Sequence, residues 1–223
     1  MKYNPTCLVT LSGGIDSTVL VHYLVQELNE VPLCVYIKYG TISEKGELIA
    51  SRITCNKFGL ILVEIPFTMY KDISESFILG NTKTFDKGAQ FWLDGRNGLI
   101  GFILAIMAAR YQVYDVYMGT NADDDDGKGT YLDTNIEFYD ALNELIKHSI
   151  KYPVKVSAPF LDNGLIKSEV IKFGNILGVD WMSTHSCSSS NVPCLKYDVC
   201  ESCYWRREDF KDAGLSDPFE GNR

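Results

Sequence analysis

The sequence predicts an α/β fold, a doubly wound parallel sheet with helices on both faces. Three observations carry that expectation. Short apolar runs alternate with segments of helical spacing, the pattern of βαβ units. The runs at 31–37 and 113–118 lead into Tyr39-Gly40 and Gly119, as strands do when they open into loops at one sheet edge. A Ser-Gly-Gly turn joins the first run to the first helical segment, where ligands of open α/β sheets bind.

The first strand is expected over residues 7–11, and the helix after it is signalled by Thr18-Val19-Leu20-Val21-His22-Tyr23-Leu24. Between them lies Leu11-Ser12-Gly13-Gly14-Ile15-Asp16-Ser17-Thr18. The first N–H groups of a helix lack internal partners, and the helix dipole adds positive charge there. Gly13 and Gly14 let the backbone approach a phosphate, and Ser12 and Ser17 add hydroxyls. Asp16 beside a phosphate needs Mg²⁺ between them. A Gly-Gly pair alone is an ordinary turn; the fuller string is far more specific and points to a nucleotide and its metal.

A second strand is expected over 31–37, a helix over 44–58 and a third strand over 60–65. The polar stretch 66–91 reads as a short helix around 70–77 followed by a surface loop, either a substrate cover or a plain connection. Arg96 and Asn97 precede a helix over 98–111 that is apolar on nearly every side and so expected in the core. A fourth strand is expected over 113–118, and then an acidic run, Asp123 to Asp126, of which one or two carboxylates could hold Mg²⁺. Residues from Glu137 to Ile150 have amphipathic helical spacing, 155–160 reads as the fifth strand, and 168–177 as the last helix, with Lys167 at its start.

The chain has 223 residues, enough for one full core, with 46% hydrophobic and 22% charged residues. A net charge of −8 argues against broad adhesion to nucleic acid or an anionic membrane. The apolar stretch 99–109 is too short to span a bilayer, and the start of the chain has no signal-peptide pattern, so a cytoplasmic protein is expected. Cys7, Cys34 and Cys55 are scattered and read as small buried hydrophobes. Cys187, Cys194, Cys200 and Cys203 crowd together and end in Cys-x₂-Cys, a spacing suited to tetrahedral Zn²⁺. Four thiolates close the coordination shell, which makes the zinc structural. His185 is a lesser candidate ligand, read rather as a surface or substrate-side residue. The expected division is an α/β domain over 1–182 and a zinc-binding extension over 183–223 packed on it.

Loop, Arg96-Asn97 and cysteine knuckle together resemble the 7-cyano-7-deazaguanine synthase family of the N-type ATP pyrophosphatases. Gly95-Arg96-Asn97, Gly119-Thr120-Asn121-Ala122, Ala158-Pro159-Phe160, Lys167-Ser168-Glu169-Val170 and Ala213-Gly214-Leu215-Ser216-Asp217-Pro218 extend the likeness nearly end to end. The resemblance implies an adenine nucleotide α-hydrolase-like, Rossmann-type fold, with ATP, Mg²⁺ and Zn²⁺ as cofactors. It implies activation of 7-carboxy-7-deazaguanine for attack by ammonia, and a homodimer. Leu11 to Thr18, with Lys38 and Tyr39, would bind the nucleotide. Asp16, Ser17, Arg96 and Lys167 would be catalytic, and Arg96, Asn97, Asn121, Asp124, Tyr131 and Asp133 would meet the substrate.

Three departures stand out. Thr41-Ile42-Ser43 replaces the family's Gln-x-His, and Thr134-Asn135 follows Asp133 where a Cys-Arg pair is usual. The metal cysteines are also more widely spaced. An alternative product is therefore an amide, or a conjugate with an amine on another molecule such as a protein, as in defence-system paralogues. A tRNA-modifying relative is a lesser alternative, since the chain is acidic.

Overall fold

The computed structural model describes residues 3–81, 93–124, 131–192 and 200–220. Five strands, β1 (Cys7–Thr10), β2 (Pro32–Lys38), β3 (Leu62–Pro66), β4 (Asp115–Tyr117) and β5 (Lys155–Ser157), form one parallel sheet in the order β3-β2-β1-β4-β5. The central strand β1 has Cys7, Leu8 and Val9 fully buried, as strands covered on both faces must be.

One face carries α1 (Ile15–Gln26), α2 (Glu44–Phe58), α7 (Lys167–Ile176) and α8 (Glu201–Asp212). Val9, Val19, Leu20, Trp181 and Phe210 meet in its core. The other face carries α4 (Arg96–Tyr111) and α5 (Ile136–Ser149), with Leu8, Val35, Leu104, Val116 and Ile146 between helices and sheet. Two short helices, α3 (Tyr70–Ile73) and α6 (Pro159–Asp162), lie in connections. No helix among the described residues is long and apolar enough to cross a membrane.

The fold class is as expected, and several boundaries move for physical reasons. The fifth strand stops at Ser157, because Pro159 has no N–H for the ladder and instead opens α6. The fourth ladder pairs only 115–117, since Val113 N–H closes the end of α4 on Ala108. The helix expected over 70–77 ends at Ile73, where Ser74 becomes extended. α4 is not buried all round: Leu104, Ala105 and Ala108 face the sheet, whereas Ile106 is 53% exposed. The polar helix α8 had no sequence forecast at all.

Candidate active site and metal centre

The winding direction reverses between β1 and β4, so their carboxyl ends bound the crevice in which such folds take ligands. After β1, Leu11 N–H still pairs with the Val35 carbonyl at 2.9 Å, and its own carbonyl accepts from Ser51 Oγ at 2.9 Å. The chain then turns at Gly13, whose φ is 75°. A Cβ there would lie 2.5 Å from Ala50 Cβ and 2.7 Å from the Glu47 carbonyl oxygen, so only glycine fits against α2. Ser12 and Ser17 hydroxyls stand 3.2 Å apart. Gly14 is the N-cap of α1 and no side chain caps it, which leaves the first-turn N–H groups to a ligand or water. Ile15 and Thr18 are buried beneath the loop. Across the crevice, Gly119 approaches so closely that its Cβ would be 3.1 Å from Ser17 N.

Asp16, in the first turn of α1, is ion-paired with Lys167 from the first turn of α7. Asn121, fully buried, joins them: its Nδ2 lies 3.4 Å from Asp16 Oδ1 and 2.9 Å from Asp124 Oδ2. Asp123 accepts from Lys167 N–H at 2.7 Å. Burial works against the Lys167 ammonium, but Asp16 and Asp124 outweigh it and raise its pKa. Asp124 is raised first by burial and then by Asp16, against the pull of Lys167. Asp209, reaching in from α8, is lifted to about 6 by burial, with Lys167 opposing and Asp16 and Asp123 adding to the rise.

A second group forms around Arg96, half-buried at the start of α4. Burial opposes its charge, yet Tyr39, Asp133 and Glu47 raise its pKa. Burial also pushes the Tyr39 hydroxyl up to about 12, against the effect of Arg96. Arg96 in turn lowers Asp124, so both groups share one electrostatic field. Asp133 Oδ2 accepts from Asn97 N–H at 3.0 Å, and the Asp133 carbonyl accepts from Asn97 Nδ2 at 3.0 Å. Asp133 thereby serves as the cap that α4 lacks in its own sequence. Thr134 Oγ1 donates to the Asp124 carbonyl at 2.6 Å, fastening this turn, with half-buried Tyr131, to the first group.

Lys38 stands apart. Its ammonium is 3.4 Å from Glu64 and 4.0 Å from Glu44, and among the described residues no hydrogen bond joins it to the loop. Asp125 and Asp126 lie outside the described residues.

Cys187, Cys200 and Cys203 form a buried group whose sulfurs all lie within 4.8 Å of one another. The Cys187–Cys200 separation is 3.9 Å, close to the roughly 3.8 Å between thiolates bound tetrahedrally at about 2.3 Å from one ion. The three thiols share hydrogen bonds that favour the thiolate at Cys200 and the protonated thiol at Cys203, so the fit to a metal rests on the spacing of the sulfurs. The donor set fits a metal ion. Cys194 lies outside the described residues. His185, expected as a surface or substrate-side group, is instead buried: its ring Nε2 sits 2.9 Å from the Cys187 carbonyl and 3.0 Å from the Ser190 carbonyl.

Sequence reasoning did not single out Glu47, Asp209 or Arg206. A glycine inside the first turn of α2, Gly46, is the one signal that something approaches closely there, since its Cβ would fall 2.6 Å from His185 Cε1.

A family model described as queuosine biosynthesis protein QueC matches residues 6–214. A 7-cyano-7-deazaguanine synthase of Sulfolobus acidocaldarius is 29% identical over 98% of this chain, which spans about half, 48%, of that protein's length. The Methanocaldococcus jannaschii protein of the same name is 27% identical over 94% of this chain and 96% of its own. Among solved structures, the U34-tRNA thiolase NcsA of Methanococcus maripaludis shares the fold with a TM-score of 0.57 at 19% identity, over 95% of this chain and 68% of its own. A match over residues 6–214 that takes in the loop after β1, Arg96, Lys167 and the clustered thiols makes this chain a member of the QueC family.

Proposed function

We propose that the chain uses ATP to activate the carboxylate of 7-carboxy-7-deazaguanine for attack by ammonia, yielding 7-cyano-7-deazaguanine. A substrate carboxylate oxygen attacks the α-phosphorus and pyrophosphate leaves. Ammonia then attacks the acyl carbon, AMP leaves, and an amide results. A second ATP activates the amide oxygen, which departs with AMP as two protons leave nitrogen and the nitrile forms. The observation that supports this most strongly is the uncapped start of α1 beside Lys167 and Asp16, in a chain of this family.

In this reading the N–H groups after Gly13 and Gly14, with Ser12 and Ser17, hold the phosphates, and Lys167 offsets charge gathering on pyrophosphate. Asp16 and Asp124 are the carboxylates for Mg²⁺, whose chemistry is to neutralise that same charge. Arg96 forks onto the substrate carboxylate or α-phosphate, and Asp133 accepts from the N–H edge of the base. Cys187, Cys200 and Cys203, with Cys194, hold Zn²⁺ as a structural ion.

A second reading ends at the amide or passes the acyl group to another amine. One observation favours it. Thr134, where the family's cysteine is usual, is engaged with the Asp124 and Tyr131 carbonyls, and Asn135 caps α5 through Phe138 N–H at 2.8 Å. Incubating the protein with the acid, ATP, Mg²⁺ and ammonium, then weighing the products, separates the two. A nitrile mass is expected; an amide mass as end product favours the second reading, and unaltered acid overturns both.

A further inference from the structure

We propose that His185, clamped by Arg206, is the positioning residue of the phosphate-binding loop, so that the cysteine centre sets the aim of that loop's N–H groups. The inference rests on the reading of the 12–17 loop as the nucleotide site.

The link begins at the backbone N–H of His185. His185 N–H donates to the Gly13 carbonyl at 2.8 Å. In a trans peptide the carbonyl of one residue and the N–H of the next point in opposite directions. Holding the Gly13 carbonyl on His185 therefore turns the Gly14 N–H the other way. An anion site fails if this peptide flips, because a carbonyl oxygen would then face the phosphate.

His185 is itself fixed from two sides. Its Nε2 lies between the Cys187 and Ser190 carbonyls, both acceptors, so Nε2 carries the proton and closes the turn that bears Cys187. The far side of the ring lies on α2, where a Cβ at Gly46 would be 2.8 Å from Nδ1. Asn191 completes the seat, its Oδ1 accepting from Lys45 N–H at 3.0 Å and Gly46 N–H at 3.3 Å.

Arg206 ties the residues on either side of His185 to α8. Its guanidinium donates to Thr184 Oγ1 at 2.8 Å, Ser186 Oγ at 3.2 Å and the Trp181 carbonyl at 3.1 Å. The buried Asp217 takes its remaining face at 2.8 and 3.2 Å. Cys203 lies one turn earlier on the same helix. Displacement of that helix is thus passed by Arg206 to 184 and 186, and by His185 to the loop.

The test compares wild type with His185→Ala and His185→Gln in the metal-loaded full chain. Gln keeps an amide donor near the position of Nε2. Affinity for an ATP analogue with a methylene between its α- and β-phosphates is measured by calorimetry, and amide hydrogen exchange is followed over 12–17. The expected result for His185→Ala is affinity weakened by about tenfold or more, with KM for the acid changed less than about twofold, and faster exchange at Gly14 and Ile15. His185→Gln should recover most of both. Wild-type affinity and unchanged exchange in His185→Ala would overturn the proposal. If His185→Ala does not fold, exchange over 12–17 in the wild type before and after metal chelation decides, and an unchanged rate there overturns it. Failure of wild type to bind the analogue rejects the nucleotide reading instead, while the exchange comparison still judges the coupling.

Discussion

At the scale of single residues, the site holds more carboxylate than cation. Lys167 faces Asp16 directly, Asp124 and Asp209 by field, and Asp123 through its backbone. The ionised form of Asp209 is poorly served, since burial lifts its carboxyl from an ordinary value near 3.8 to about 6. The native state then binds more protons than the unfolded chain between those values. Stability from this group is present below about pH 4 and lost as pH rises through 6. Asp209→Asn removes the penalty. Because the side chain is partly open to water, the gain is discounted to roughly 1–2 kcal/mol. Thermal melts across pH should show the variant more stable than wild type at pH 8 and equal to it below pH 4. An unchanged difference across that range would place the carboxylate outside the cluster's field.

At the scale of elements, α4 is the informative case. It begins after Gly95, whose φ is 68°, and it takes its cap from Asp133, far along the chain. Asp133→Ala should cost about 1 kcal/mol of stability by baring the Asn97 N–H, in addition to any loss of substrate binding. Asp133→Asn keeps an oxygen acceptor. Its melting temperature should stay near wild type while KM for the acid rises by about tenfold or more, which separates cap from recognition; a KM that stays put would leave Asp133 only its capping role. The sequence made β1, its loop and α1 legible because glycine, hydroxyl and acid in that order have few other uses. It did not disclose that Asp133 and Asn97 spend hydrogen bonds on each other, since such a pairing exists only once the chain has folded. The fifth strand is shorter than the apolar pattern of Val156, Ala158 and Phe160 suggests, because the missing N–H of Pro159 outweighs their apolar character. α8 escaped notice because its buried positions are few: Cys203, Arg206 and Phe210 face inward, and Trp205 is 54% exposed. Asp209 and Arg206 were hidden with it.

At the scale of the whole molecule, α8 contributes to the main core. Phe210 and Ala213 belong to the same cluster as Val19 and Trp181, and the Phe210 and Trp181 rings meet edge to face at 5.3 Å. A helix of this length and polarity is marginal by itself and depends on its anchors. Those anchors are Phe210 in the core, the Arg206–Asp217 pair and, at the opening turn, Cys200 and Cys203. A metal bound by the thiols of the folded chain is linked to folding, since the unfolded chain offers no assembled site. Chelation should therefore lower the melting temperature by more than about 5 °C. It should also reduce the urea m-value, because a native state with α8 loosened already exposes the Phe210 and Trp181 surfaces that unfolding would otherwise release. Trp181 emission should shift to the red before the main transition. An unchanged midpoint and m-value, in protein shown by elemental analysis to be metal-free, would mean that Arg206 and Phe210 hold α8 in place without the thiol centre.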